Sequence, residues 1–377
     1  MKSIGIGLIG SGYMGKRHTV AMQSVGAVFN TYLRPVCEML CTTTESGAKQ
    51  KAQALGFRRS TCDWRVLVAD PKVEAIIIAS PQETHREIAL AAFALGKPVL
   101  CEKPLGASLQ DAQQMTEQAA LSQSINMVGF NYIRTPATQF AKQLISEGAI
   151  GEITYMRAEH TEDFFLDPSA TSSWRAHGRA NGTMGDLAPH MINAALFLVG
   201  PISELNAQID HVHQRHLEQR GAYDKDQQAT INDDQGQFLC KFANGASGHL
   251  HFSRIATGRK MGFAYEITGT QGTLRFDQED QNALWLYQTA AENGVAGTQG
   301  FRKILTNEYH PDYAMFCEGP GHGTGYQDQL IIEARDFLQA IVDGSTVWPT
   351  FKDALQVSKI IDAAWRSHET RQWVDIQ

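Results

Sequence analysis

The stretch "SIGIGLIGSGYMGKRHTVAMQSVG", Ser3 to Gly26, constrains the fold more than any other. A short β-branched and apolar run ends in glycine, as a buried parallel strand does. Gly10, Gly12 and Gly15 follow with G-x-G-x-x-G spacing. Met14, His18 and Met22 then recur at helical spacing, and Gly26 predicts the end of that helix. Strand, glycine turn and helix in this order describe a dinucleotide-binding turn. Gly10 permits the tight turn, Gly12 lets a pyrophosphate approach the backbone, and Gly15 allows close helix–strand packing. The helix N-terminus leaves N–H groups for phosphate.

A glycine triplet alone says little in a chain with 33 glycines, so the reading rests on its surroundings. These repeat the pattern. "PVCEMLCT" reads as a strand, "ESGAKQKAQALG" as a helix, "VEAIIIAS" as a strand, "ETHREIALAAFALG" as a helix, and "KPVLCEKP" as a strand with its exit loop. Strands separated by amphipathic helices predict an α/β Rossmann domain, a doubly wound parallel sheet, over residues 1–125. Beyond it, "ITYMRAEHT", "SELNAQIDHVH", "GQFLCKFANGASGHLHFSRI" and "GTLRFDQ" are strand-like with few long helices between them. Residues 126–377 are therefore expected to form a C-terminal α+β domain with a large, mainly antiparallel sheet. Its terminal helix, 351–370, is free to pack back on the first domain. At 377 residues the chain is long enough for both cores.

An NAD-preferring fold places Asp or Glu at the end of its second strand. Here "CTTTES" puts Cys41 and Thr42 there, with Glu38 inside the strand and Glu45 in the next helix. For a 2′-phosphate only Lys49 and Lys51 lie near. Both NAD(H) and NADP(H) stay open. The net charge of −7 argues against nucleic acid or an acidic membrane as partner. Six scattered cysteines without C-x-x-C spacing fit free thiols in a cytoplasmic protein with no metal site. No apolar run reaches the length of a membrane span. The polar interval 210–234 reads as a connecting excursion.

Two more motifs carry chemistry. In "CEKPLG", Lys103 follows a parallel strand at its carboxyl end, where doubly wound sheets hold ligands. A lysine there hydrogen-bonds a substrate oxygen and stabilises alkoxide character. In "NGTMGDLAPHMINAALFLVG", residues 181–200, Asp186 and His190 stand four apart and share a helical face. Pro189 confines the helix start to this neighbourhood, so Asp186 is read as its N-cap. The plain alternative is a capping aspartate and a polar histidine on a buried helix.

G-x-G-x-x-G, then E-K-P, then D-x-x-x-H before an apolar helix resembles the glucose–fructose oxidoreductase/inositol dehydrogenase (Gfo/Idh/MocA) family. The resemblance covers nearly the whole chain, through "ASPQETHREIA", "GFNYIRTP", "EITGTQGTLRF" and "ALQVSKIIDAAWRS". It implies an NAD(P)-dependent oxidoreductase acting on a hydroxyl of a sugar, sugar derivative or cyclitol, assembled as a homodimer or homotetramer. Lys103, Asp186 and His190 match the family's catalytic trio. His190 is the expected base, Lys103 binds the same oxygen, and Asp186 orients the pair. The cofactor-side set is Gly10, Gly12, Tyr13, Met14, Gly15, Thr42, Ser80, Pro81, His85, Glu102, Lys103 and Asn131. The substrate side is Arg134, Trp174, Arg175, His177, His190, His322 and Tyr326, with an aromatic face and cationic groups that favour an acidic sugar over a neutral one. The same parts also suit redox-neutral glycoside cleavage through a retained cofactor. A cofactor-sensing regulator is disfavoured, because sensing needs no proton relay.

Overall fold

The computed structural model describes residues 2–167, 178–214, 232–289 and 298–376. The chain divides into two compact units, 1–134 with 325–358, and 135–324 with 359–377. In the first unit the strands are β1 (Lys2–Ile9), β2 (Leu33–Cys41), β3 (Arg59–Thr61), β4 (Ala75–Ile78), β5 (Val99–Glu102) and β6 (Asn126–Gly129). The helices between them are α1 (Tyr13–Phe29), α2 (Glu45–Leu55), α3 (Trp64–Ala69), α4 (His85–Ala94) and α5 (Leu109–Ser122). The sheet order is β3-β2-β1-β4-β5-β6, parallel throughout. Ile4, Ile6, Leu8 and Ile76–Ile78 are buried, as a sheet covered on both faces requires. Strand order reverses between β1 and β4, which makes the ends of these two strands the switch point where such sheets bind ligands.

Two boundaries differ from the sequence expectation. Helix α1 runs past Gly26 and stops at Asn30 in the left-handed conformation. A Cβ at Gly26 would lie 2.2 Å from the Arg34 guanidinium, so the Arg34 side chain packs over this glycine. One helical glycine costs only about 1 kcal/mol and need not end a helix. The first unit also extends past residue 125, because β6 adds a sixth strand and the segment to Arg134 follows it.

The second unit holds α6 (Pro136–Ser146), β7 (Ile153–Thr161), α7 (Thr183–Asp186), α8 (Ala188–Leu198), β8 (Ile202–Asp210), β9 (Gln235–Phe242) and β10 (Ser247–Ser253). It continues with β11 (Gly262–Gly269), β12 (Gly272–Asp277), β13 (Ala283–Gln288) and β14 (Arg302–Leu305). With the C-terminal β15 (Val374–Asp375) these make a nine-stranded sheet ordered β14-β13-β12-β11-β7-β10-β9-β8-β15. Only the β7–β10 pairing is parallel. Along β9, Phe238, Cys240 and Phe242 are buried while Gln237, Leu239 and Lys241 are exposed. One face is thus a core, covered by α6 and α8, and the other is open.

Two long helices complete the chain. Helix α9 (Tyr326–Asp343) belongs to the first unit and packs along α1. Helix α10 (Phe351–Thr370) begins in the first unit, and its residues from Lys359 belong to the second. No described helix is long and apolar enough to cross a membrane.

Candidate active site

The glycine turn has the form its spacing predicts. Gly10 sits at φ 98°, and a Cβ there would lie 2.3 Å from the Ala79 carbonyl oxygen. Gly15 backs onto Gly10 so closely that a Cβ would come within 2.2 Å of its carbonyl oxygen. At Gly12 a Cβ would meet nothing within 4 Å. The turn therefore packs tightly underneath and opens outward at its middle glycine. Helix α1 starts there with no side-chain cap and no acidic residue in its first turn. Uncapped N–H groups beneath open space, at the positive end of a helix dipole, fit a pyrophosphate.

At the end of β2 stand Cys41 and Thr42. Cys41 is buried, which pushes its thiol up to about 11, and Thr44 caps α2 through Gly47 N–H. The Thr42 hydroxyl is turned to the Thr44 carbonyl. Glu38 lies in the strand and holds Arg59 at 2.8 Å, and Arg59 also binds Asp70. Arg59 is thereby tied to two carboxylates of its own unit, Glu38 in β2 and Asp70 at the end of α3.

At the carboxyl end of β5 stands half-buried Lys103. The loop after β4 reaches the same place. The His85 ring, 1% exposed, has Nδ1 3.1 Å from the Pro104 carbonyl and Nε2 2.9 Å from that of Ser80. Burial keeps the His85 pKa low. The Ser80 hydroxyl pairs with that of Thr84 at 2.7 Å. The Ser80-Pro81 loop and the Lys103-Pro104 exit thus meet at one imidazole, whose single N–H in the neutral form bonds one of the two carbonyls.

Three expected ligand contacts have other surroundings. Arg134, read from sequence as a substrate contact, is a buried structural cation. It is 2% exposed, pairs with Glu333 at 3.6 Å and Asp336 at 3.1 Å, and donates to the Trp348 carbonyl at 3.0 Å. Asn131 is also buried and donates to Gln329 Oε1 at 2.8 Å. Tyr326 lies over the glycine turn. Its ring is 6.2 Å from that of Tyr13 and 5.9 Å from that of Tyr132, and its hydroxyl points to Met14 Sδ at 3.4 Å. Tyr326 is thus packed against the first turn of α1. For Arg134 the expected result is that Arg134→Leu lowers unfolding free energy by about 3–5 kcal/mol, since it strands a buried carboxylate. Glu333→Gln in the same chain should recover part of the loss. Urea denaturation measures both, and unchanged stability with a raised substrate KM would restore the substrate role.

In the second unit, Asp186 closes α7 and His190 lies in the first turn of α8. The expected N-cap role of Asp186 is not what forms. Gly182 precedes α7, Leu187 precedes α8, and neither caps with a side chain. Leu187 keeps helical dihedrals, so hydrogen bonding continues through the joint, with Leu187 N–H on the Thr183 carbonyl and His190 N–H on that of Leu187. Pro189 fits because it stands in the first turn. Asp186 and His190 therefore remain neighbours on one helical path.

Two supports of this joint escaped the sequence reading. His160 on β7 is 1% exposed, its Nδ1 donates to the Leu187 carbonyl at 2.9 Å, and its ring lies 5.6 Å from that of His190. The polar interval 210–234 ends inside the protein, with Asn232, Asp233 and Asp234 all buried. Asp233 accepts the Met184 N–H at 2.7 Å, and the Asp234 carbonyl accepts the Thr183 hydroxyl. The Asp234 carboxylate binds Arg254 at 2.8 Å and the His213 N–H.

Burial pushes the Asp233 carboxyl up to about 6, against the Met184 N–H bond that lowers it. A carboxyl raised on folding holds its proton more tightly in the native state. Its contribution to stability is present below about pH 4 and is lost as pH rises to about 6. Asp233→Asn lacks this titration. The expected result is that the melting temperature of the variant gains on wild type between pH 4.5 and pH 7, about where the shift lies. A constant difference across that range would contradict it.

Trp174, Arg175 and His177 lie outside the described residues. His322 is exposed in a loop of the second unit. Arg179 binds Glu369 at 2.7 Å and stacks on Trp365.

Two family models match. Residues 4–130 match an oxidoreductase family's NAD-binding Rossmann fold, and residues 142–376 match an oxidoreductase family's C-terminal alpha/beta domain. The chain is 36% identical to the levoglucosan dehydrogenase of Pseudarthrobacter phenanthrenivorans, over all of this chain and 99% of that one. It is 31% identical to an inositol 2-dehydrogenase of Rubrobacter xylanophilus, over 84% of this chain and 81% of the other. A solved levoglucosan dehydrogenase in complex with NADH and levoglucosan superposes with TM-score 0.92, at 34% identity and full coverage of both chains. An NAD-binding oxidoreductase from Klebsiella pneumoniae superposes with TM-score 0.90, at 35% identity, over all of this chain and 99% of that one.

Proposed function

The chain belongs to the Gfo/Idh/MocA oxidoreductase family, and from that membership we propose a dehydrogenase that oxidises a secondary hydroxyl of a cyclic polyol with NAD(P). The observation that carries this reading is the first unit's own layout. An open, uncapped glycine turn and Lys103 stand at strand ends of one parallel sheet, where nicotinamide and reacting carbon are brought together in such folds. The nicotinamide supplies the hydride acceptor. The protein's part is orientation and proton handling. In this reading Lys103 donates a hydrogen bond to the reacting oxygen and favours its alkoxide character. His190 takes the hydroxyl proton, and Asp186 orients that chemistry. His160, Asp233 and His85 hold these groups in place through backbone atoms.

The similarity to levoglucosan and inositol dehydrogenases supports a neutral ring polyol as substrate, in place of the acidic sugar expected from the arginines. The open face of the second sheet supports a homo-oligomer, and the free cysteines support a cytoplasmic setting. The test offers NAD and NADP separately with levoglucosan, myo-inositol, glucose, glucuronate and aryl glycosides, and follows reduced nicotinamide and released aglycone. Dinucleotide reduction by levoglucosan or inositol is the expected result. Aglycone release without net reduction would replace it with redox-neutral cleavage. Faster turnover of glucuronate would reinstate the acidic sugar.

A further inference from the structure

The glycine turn and Lys103 lie on different elements, and a buried pair of side chains joins those elements. His18 follows Gly15 on α1, and its Nε2 is 2.7 Å from Glu102 Oε1. The two side chains are 2% and 7% exposed. Glu102 ends β5, directly before Lys103. Opposite it on β6 is Gly129, where a Cβ would come 3.0 Å from Glu102 Oε1, so the carboxylate occupies space left by a missing side chain. Other charged or titratable groups in electrostatic reach of the pair are Glu333 and Tyr326 on α9, His85 on α4 and Cys101 on β5. Arg134 stands beside Glu333.

Burial opposes a charge on His18, but the hydrogen bond and charge of Glu102 outweigh it and raise the imidazole pKa. The pair therefore sets two polar, titratable groups in a place where apolar side chains would pack at no electrostatic cost. A buried ion pair adds little stability over such packing, yet it admits only one register between the elements that bear it. Here those elements are the helix that begins at the phosphate-binding turn and the strand that ends at Lys103.

We propose that the His18–Glu102 pair is a positioning link that ties α1 to the end of β5, so that occupation of the glycine turn orders Lys103. The link rests on the dinucleotide reading above. Coupling of this kind is reciprocal and reads out without turnover. ADP-ribose is the probe, because it carries the pyrophosphate but no nicotinamide to shield the lysine. Its affinity is measured by calorimetry. Lys103 reactivity is followed by trace acetylation and peptide mass spectrometry, with and without ADP-ribose.

In wild type, ADP-ribose is expected to change Lys103 acetylation by at least about fivefold, the lower end of ordinary coupling. In His18→Gln and in Glu102→Gln the response should vanish, and His18→Gln, which lies outside the cofactor-side set, should still bind ADP-ribose. Hydrogen exchange of the Cys101–Gly106 segment in wild type gives a reading that needs no variant, and slower exchange on binding is expected. A response that persists in both variants overturns the link and leaves the dinucleotide reading standing. So does unchanged exchange in a wild type that binds ADP-ribose. Failure of wild type to bind either ADP-ribose or NADH would overturn the dinucleotide reading, and the link with it.

Discussion

Gly12→Val is expected to raise the Kd for NADH by roughly 100-fold or more while the protein keeps its melting temperature. The two halves of that result have separate causes. Gly12 has φ −70° and ψ −161°, which any residue adopts, and a Cβ there meets nothing within 4 Å. The folded chain accommodates the valine. Its methyl groups then fill the space over the uncapped N-terminus of α1, where the pyrophosphate would accept backbone N–H groups. Losing one or two charge-assisted hydrogen bonds, each about 1.5–3 kcal/mol, amounts to about 100-fold in affinity. Gly15→Ala is the contrast. Its methyl would collide with the Gly10 carbonyl, so it should lower the melting temperature as well as the affinity. Fluorescence titration with NADH and thermal melts of both variants decide the matter. A Gly12→Val protein that binds NADH as wild type does would remove the turn from the site.

Such a prediction was legible in the sequence because the features behind it are local. Glycine spacing, the apolar run of β1 and the helical repeat of α1 all lie within about one βα unit. The alternation of strands and helices likewise yields a doubly wound parallel sheet without any long-range knowledge. Where the reading went astray, the deciding partner is distant. Arg134 looks like a ligand contact until Glu333 and Asp336, about 200 residues on, bring their carboxylates to it. Asp186 looks like an N-cap because an aspartate before an apolar helix usually is one. Here the backbone stays helical through Leu187, and the preceding turn receives its carboxylate from Asp233, 49 residues from Met184.

His160 is a different case, since a signal was present. In "ITYMRAEHT" the inward positions are Met156 and Ala158, and two-residue alternation puts His160 on the same buried face. A histidine at a core position of a strand requires a polar partner. Parity alone could have marked it as a support of something polar, though not that the partner would be the Leu187 carbonyl.

Truncating either half of the proton-handling set should affect turnover far more than dinucleotide binding. Lys103→Met and His190→Ala are each expected to lower kcat by roughly 10²–10⁴, the range of positioned acid–base groups. Their Kd for NADH should stay within about threefold of wild type, since the glycine turn proposed to hold the pyrophosphate is untouched. The reasons differ between the two. Lys103 stands at the end of β5, and methionine keeps its length and removes only the donor and charge. His190 is 7% exposed in the first turn of α8, so alanine also leaves a void, and His190→Asn controls for the lost volume. If Lys103 and His190 serve one hydroxyl, their effects cannot be additive. The double variant should fall little below the worse single one, as residues acting as a unit do. Asp186→Asn tests the third member. A loss of kcat with unchanged stability gives it a part in the chemistry, whereas lowered stability with normal kcat makes it a helix-joint residue only. Full additivity of Lys103→Met and His190→Ala, each with a small effect, would sink the shared-oxygen mechanism while leaving the dehydrogenase assignment in place.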